Sequence, residues 1–374
     1  MLDVKNLFAG GKKMFGLDAI RNLFPASKSL VGLDIGSSAI KLAEIVETPK
    51  GYILSRFSKI PLATGVIVDG VPVEQQELAQ RIKQLFKQSG CKRKSIVTSL
   101  SGHSVIIKKV NFPAMDETEL REMIRDEAGK YLPFDSMEAV SYDFQILGEN
   151  EFNPNQMDVI IVAAKNDIVN SYADTIQQAG YSPVIMDVDS FALETMYEEN
   201  YDFEENEMVV LVNIGASITN INVLRGGSSV FTRDFMLAGN SITEAIGQKM
   251  GIAFEEAERI KIEGPDGDEA AEREFRENLI YYAEPICSEI ERSVDYFRST
   301  YGGEYLKRIL LSGGSARIPG IVNELTQRLS VEAEIANPFR KISYGTKALG
   351  QTAIEEIAPI AAVGIGLALR KVGD

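Results

Sequence analysis

The stretch Val31-Gly32-Leu33-Asp34-Ile35-Gly36-Ser37-Ser38-Ala39-Ile40-Lys41-Leu42-Ala43-Glu44-Ile45 decides the reading of this chain. A β-prone apolar run ends at Asp34, a Gly and two small hydroxyl residues follow, and a second β-prone run carries Lys41. That pattern is a β-hairpin with a tight Gly turn. Such a turn leaves backbone N–H groups pointing outward, where a polyphosphate accepts from them. Across a hairpin, the spacing from Asp34 to Lys41 returns the ammonium to phosphates held by the turn. Alone, the motif is also what an ordinary hairpin looks like. Half a chain later it recurs as Val210-Leu211-Val212-Asn213-Ile214-Gly215-Ala216-Ser217-Ile218-Thr219-Asn220-Ile221-Asn222-Val223-Leu224. In this copy Asn213, Gly215, Ala216, Ser217 and Thr219 repeat the arrangement, with hydroxyls in place of the lysine. Two such turns, one per domain, can grip one phosphate chain from opposite sides.

Bulk properties narrow the function classes. With 374 residues, 45% hydrophobic and 25% charged, the chain has material for two or three domains. A net charge of −15 argues against nucleic acid and against unaided binding to an anionic membrane. Cys91 and Cys287, the only cysteines, are far apart and fit a reducing cytoplasm rather than a disulfide or zinc framework. His103 is the only histidine, and no Gly-x-Ser-x-Gly elbow accompanies it. The longest apolar run, 357–369, is interrupted by Pro359, Gly364 and Gly366 and is too short to span a bilayer. Residues 1–28 read as a leader arm, in which Leu17, Ile20, Leu23 and Phe24 form an amphipathic patch suited to a protein contact.

Strands feeding helices in both halves predict an α/β architecture of two similar lobes around a cleft. Residues 74–89 read as an amphipathic helix with Leu78, Ile82, Leu85 and Phe86 on one face, and Asp116 as the N-cap of the next. Residues 111–182 read as a separate strand-and-helix unit inserted into the first lobe. Two more constellations bear on chemistry. Ser312-Gly313-Gly314-Ser315 is a strand-to-helix Gly turn that lets a flat or bulky group approach the backbone. Glu258 and Lys261 are i, i+3 neighbours on one helical face.

These segments, in this order, resemble the actin and sugar-kinase superfamily, with its phosphate-1, connect-1, phosphate-2, adenosine and connect-2 motifs. Within it the chain resembles the actin-like branch of FtsA, and more narrowly the PilM family of type IV pilus assembly. The stretches Ser101-Gly102-His103-Ser104-Val105-Ile106-Ile107-Lys108-Lys109, Tyr131-Leu132-Pro133-Phe134-Asp135, Gln156-Met157-Asp158-Val159, Asp187-Val188-Asp189-Ser190-Phe191-Ala192 and Val230-Phe231-Thr232-Arg233-Asp234 carry that likeness. It implies an actin-like two-lobed ATPase fold with an FtsA-like inserted subdomain 1C. The implied divisions are subdomain 1A at 29–110 and 183–206 with 359–374 returning, 1C at 111–182, 2A at 207–240 and 303–358, and 2B at 241–302.

The resemblance also implies roles. ATP or ADP with Mg²⁺ would be the cofactor, with Asp34 holding the metal through water and Lys41 on the phosphates. Gly36, Ser37, Ser38, Gly215, Ala216, Ser217 and Thr219 would form the phosphate loops, beside Asn213. Glu258 and Lys261 would approach ribose and base, and Gly313, Gly314 and Ser315 the adenine. Asp34 and Asp189 would be the catalytic carboxylates. The implied partner is the N-terminal cytoplasmic peptide of the inner-membrane protein PilN, received between the first and inserted subdomains. The PilN/PilO complex would keep the chain at the cytoplasmic face of the inner membrane, and motor components and self-association are further partners to consider. Two departures favour slow or no hydrolysis. Asn213 stands where actin-like ATPases carry Asp, a loss of roughly 3 kcal/mol of attraction at about 6 Å and an effective dielectric near 20. Asp189 is one methylene shorter than the Glu expected to orient water. A sugar- or acetate-kinase-like activity is one alternative. An FtsA-type division protein is the other, against which the short tail Lys371-Val372-Gly373-Asp374 argues, since it leaves no room for a membrane anchor.

Overall fold

The computed structural model describes residues 2–3, 30–134, 136–150, 153–302, 305–349 and 353–371. The Leu17, Ile20, Leu23 and Phe24 patch, Asp135 and the side chain of His103 lie outside the described residues. In chain order the first half contains β1 (Leu2–Asp3), β2 (Val31–Ile35), β3 (Ala39–Thr48), β4 (Gly51–Pro61), β5 (Ile67–Val68), β6 (Val71–Pro72), α1 (Gln75–Ser89) and β7 (Ser95–Leu100). It continues with β8 (Val105–Pro113), α2 (Glu117–Tyr131), β9 (Val140–Asn150), β10 (Asn153–Lys165), α3 (Asn166–Gln178), β11 (Ser182–Val188) and α4 (Asp189–Asn200). The second half contains β12 (Met208–Ile214), β13 (Thr219–Arg225), β14 (Ser228–Phe235), α5 (Gly239–Met250), α6 (Phe254–Glu263) and α7 (Glu269–Tyr301). It closes with β15 (Arg308–Ser312), α8 (Ile321–Leu329), β16 (Ala333–Ile335), β17 (Ser343–Tyr344), α9 (Thr346–Leu349) and α10 (Ile354–Leu369).

Each lobe is built on one sheet, and the two sheets share a plan. The first has the order β1-β11-β7-β2-β3-β4-β17, the second β14-β13-β12-β15-β16. In both, a hairpin extended by a third antiparallel strand joins two parallel strands: β4-β3-β2-β7-β11 matches β14-β13-β12-β15-β16. The central strands are buried along their length, as in β2 and most of β12, because helices cover both faces of each sheet. α1 buries Leu78, Ile82, Leu85 and Phe86 as its periodicity predicts, and stops at Gly90, whose φ of 64° is the left-handed cap. Asp116 caps α2 by accepting from the Glu119 N–H at 2.9 Å.

The inserted unit is a three-stranded sheet, β8-β10-β9, with α2 on one face. Its limits differ from those predicted. β8 begins at Val105 because it pairs along its whole length with β10. α3, expected inside the insertion, belongs to the first lobe, where Val169, Tyr172 and Ile176 pack with α1. Along its outer edge β11 pairs antiparallel with β1 (Leu2 opposite Met186), so a segment of the leader forms the sheet edge beside the insertion.

α10 ties the lobes together. It packs on β2, β3 and α4, and the carbonyl of Pro359 accepts the Gly313 N–H from the second lobe at 2.7 Å. Close approach requires glycine: a Cβ at Gly32 would overlap the Gly364 carbonyl oxygen, and one at Gly366 the Ala192 carbonyl oxygen. Among the described residues no helix is long and apolar enough to cross a membrane.

Candidate functional site

Both Gly turns open into one cavity of about 330 Å³ between the lobes. In the first turn the Gly36 N–H closes onto the Ala39 carbonyl at 3.2 Å, and in the second Gly215 N–H closes onto Ile218 at 3.0 Å. Ser37, Ser38, Ala216 and Ser217 line the cavity at the two turn tips. Asp34 and Lys41 stand directly opposite on β2 and β3, and the Lys41 ammonium donates to Asp34 Oδ2 at 3.0 Å. The second hairpin repeats this register with amides. Asn213 faces Asn220, and Asn213 Nδ2 donates to Asn220 Oδ1 at 3.0 Å.

That register corrects one expected residue. Thr219 does not face the cleft, because strand side chains alternate. Its hydroxyl is buried and donates to the Leu237 carbonyl at 2.6 Å. Asn220 takes the cleft-facing place, the counterpart of Lys41, and its own Nδ2 is buried with no hydrogen-bond partner. A buried donor left unpaired costs about 1–3 kcal/mol, so a hydrogen-bonding group brought near this turn would recover that loss. The sequence signal was available: both pairs are seven residues apart.

The remaining predicted residues converge on the same cavity. Ser315 Oγ donates to the Gly215 carbonyl at 3.0 Å, binding the third Gly turn to the second. Gly313 has a φ of 89° and lies against Ile214, where a side chain would overlap the carbonyl oxygen. Gly314 opens onto free space, so a planar group can lie against its backbone. Lys261 Nζ contacts Glu258 Oε2 at 2.6 Å and donates to the Gly239 carbonyl at 3.0 Å. Thr243, also bonded to Glu258, fixes that carboxylate from α5. Gly239 went unnoticed in the sequence. It begins α5 so close to the second turn that a Cβ would overlap Ser315 Oγ.

Asp189 starts α4 at the cleft floor and accepts from Ser99 Oγ at 2.5 Å. Burial, then the nearby Asp34 charge, push its carboxyl up to about 7, while the Ser99 hydrogen bond pulls the other way. Tyr172, from α3, also lines the floor and donates to the Gly70 carbonyl at 3.0 Å. Burial and the charges of Asp189 and Asp34 raise its phenol well above the usual range. The cavity wall further includes Lys59 and Arg317, neither of which the sequence had marked.

The family model described as type IV pilus assembly protein PilM matches residues 32–372. The chain belongs to the PilM family. A solved structure described as a PilM–PilN type IV pilus biogenesis complex is 29% identical, with a TM-score of 0.80, covering 92% of this chain and 99% of that one. The cell division protein FtsA of Bacillus subtilis is 22% identical over 348 residues, covering 82% of this chain and 78% of that protein. The ethanolamine utilization protein EutJ of Carboxydothermus hydrogenoformans shares the fold at 16% identity and a TM-score of 0.55, over 91% of this chain and 88% of that one. The fold is therefore actin-like, and this PilM-family chain is a type IV pilus assembly protein.

Proposed function

We propose that the cleft binds ATP or ADP and that the chain serves pilus assembly as a nucleotide-binding scaffold for the N-terminal peptide of PilN. The observation that carries the nucleotide reading is the pair of facing Gly turns, each backed by a cross-strand polar pair in the same register. A polyphosphate would accept from the N–H groups of both turns and from Lys41. The base would lie against Gly314, with Glu258 and Lys261 placed toward ribose and base.

Mg²⁺ fits this site as a phosphate-bound ion. Among the described residues no group of three or more His, Cys, Asp or Glu forms a protein cage. Mg²⁺ prefers one or two carboxylates with water and substrate phosphates. Asp34 and Asp189 are the two aspartates lining the cleft, and the ion would neutralise phosphate charge there. The second lobe offers only the amides Asn213 and Asn220 at the matching place, which supports slow hydrolysis at most.

The partner reading rests on the PilM–PilN likeness. On this reading the chain works at the cytoplasmic face of the inner membrane, held through PilN and, beyond it, PilO.

Calorimetric titration tests both parts. ATP, ADP and a PilN N-terminal peptide are titrated separately, then each in the presence of the other. Micromolar nucleotide binding with an equal, reciprocal change in peptide affinity is expected of a coupled scaffold. Absence of nucleotide binding would remove the cleft assignment, and absence of peptide binding the partner.

A further inference from the structure

On β3 and β4, Lys41 and Lys59 stand directly opposite each other, and both side chains line the cleft. Like charges in that relation repel. Lys41 is compensated by Asp34. Lys59 makes no hydrogen bond or ion pair among the described residues, and neither does Arg317, which approaches from the Gly turn of the other lobe. Both cations also line a second, polar cavity adjoining the cleft, where Ser58, Gln88 and Ser89 add hydrogen-bonding groups. Lys59 and Arg317 thus stand in the wall shared by two cavities, one from each lobe.

Glu356 lines the second cavity as well and offsets the two cations only in part. An exposed lysine on a strand costs little where water screens it, but this one is crowded. Burial, then Lys41, then Arg317 depress its ammonium, and Glu356 only partly opposes them. A local conflict of this kind, retained in a well-packed sheet, marks a place where a ligand completes the chemistry.

We propose that Lys59 and Arg317 form an anion subsite that bridges the two lobes and takes a phosphate group. Arg317 offers a planar fork of donors and Lys59 a compact point charge, a pairing suited to a tetrahedral oxyanion. The phosphate has two sources: the phosphate chain of a nucleotide in the cleft, or free phosphate entering by the second cavity. Either would draw the lobes together, because each contributes one of the two ligands. Only the first source rests on the nucleotide reading above.

The test titrates Mg-ATP, Mg-ADP, adenosine and inorganic phosphate into the wild-type chain and into Lys59→Met, Lys59→Arg and Arg317→Met. If the nucleotide supplies the phosphate, Lys59→Met and Arg317→Met each weaken ATP binding at least tenfold. Adenosine affinity then stays unchanged, and Lys59→Arg recovers most of the loss. If free phosphate is the ligand, it binds the ADP-saturated wild type and is lost in both Met variants, while ATP affinity holds. Phosphate binding without any nucleotide binding keeps the subsite and removes the nucleotide reading. Changes below twofold for every ligand overturn the proposal, as does equal loss of adenosine and ATP affinity in Arg317→Met, which would make Arg317 a base contact. Thermal unfolding separates a folding defect: Lys59→Met relieves repulsion and is expected to keep or raise the melting temperature. A lowered melting temperature with unchanged ligand affinities would give Lys59 a structural role and overturn the subsite.

Discussion

Two residues of the cleft each yield a measurable expectation. Lys41 is the charged donor that faces the turn, anchored on Asp34 at 3.0 Å. Removing one charge-assisted hydrogen bond costs about 1.5–3 kcal/mol, so Lys41→Ala should weaken ATP binding roughly 10- to 100-fold by calorimetry. An unchanged affinity would take the phosphates away from the first turn. Asp189 gives the pH dependence. Its carboxyl is raised to about 7 by burial and by Asp34, whereas in an unfolded chain it titrates near 3.9. Between about pH 4 and 7 the folded state therefore holds a proton that the unfolded chain releases, and stability falls as pH rises through that window. Half-buried Glu194, also raised to about 7, adds a slope of the same sign. Asp189→Asn should shrink the loss of stability between about pH 4 and 7 by on the order of 1–3 kcal/mol in urea unfolding. An identical pH profile in the variant would show that Asp189 ionises normally. At this scale the sequence was legible where a motif is contiguous: the turns, Lys41, Glu258, Lys261 and the third Gly turn all reach the cavity. It misled at Thr219, where a hydroxyl looked like a ligand, and strand alternation gave the place to Asn220. Lys59 and Arg317 carried no local signal, because what makes them notable is a neighbour across a strand or a lobe.

Among the elements, α10 does the joining. Its apolar run was legible as a buried helix, but its glycines looked like interruptions. They are contact surfaces: Gly364 meets β2 at Gly32, and Gly366 meets the backbone of α4 at Ala192. Asp34 sits on β2 and Asp189 opens α4, so the glycine contacts set the spacing of these two cleft aspartates. Gly366→Ala should force these helices apart and destabilise the protein by about 1–3 kcal/mol or more, as overpacking does. Chemical denaturation measures this, and a change under about 0.5 kcal/mol would mean the helices slide apart freely. The same scale explains the misplaced limits of the inserted unit. Periodicity marks a strand at 104–110 and a helix at 167–179. It does not say which sheet the strand joins or which core the helix enters, because those are long-range pairings: β8 with β10, and α3 with α1.

The molecule as a whole is two similar sheets on either side of a cleft, and contacts cross one side of that cleft. From the first lobe, the Gly102 N–H donates to Asp234 Oδ2 on β14 at 2.6 Å. Beside it, Ile218 of the second turn packs against Gly70 and Gly102, and a Cβ at Gly102 would come within 2.8 Å of the Ile218 side chain. The polar bond and the apolar contact hold the second Gly turn against the first lobe. A ligand that touches both turns binds the closed arrangement, so its apparent affinity scales with the closed fraction. Asp234→Ala removes the charge-assisted half of these contacts and leaves Ile218 in place. The closed fraction should fall, and nucleotide affinity with it, by roughly three- to tenfold, since the apolar contact and α10 persist. A donor–acceptor dye pair, one dye on each lobe, should report a longer mean distance in the free variant and a wild-type distance at saturating nucleotide. Lower affinity with an unchanged free-state distance would instead assign Asp234 to the electrostatics of Asp189, whose carboxyl its charge also raises. The free-state distance therefore decides whether this contact governs the closing of the lobes or only the charge at the cleft floor.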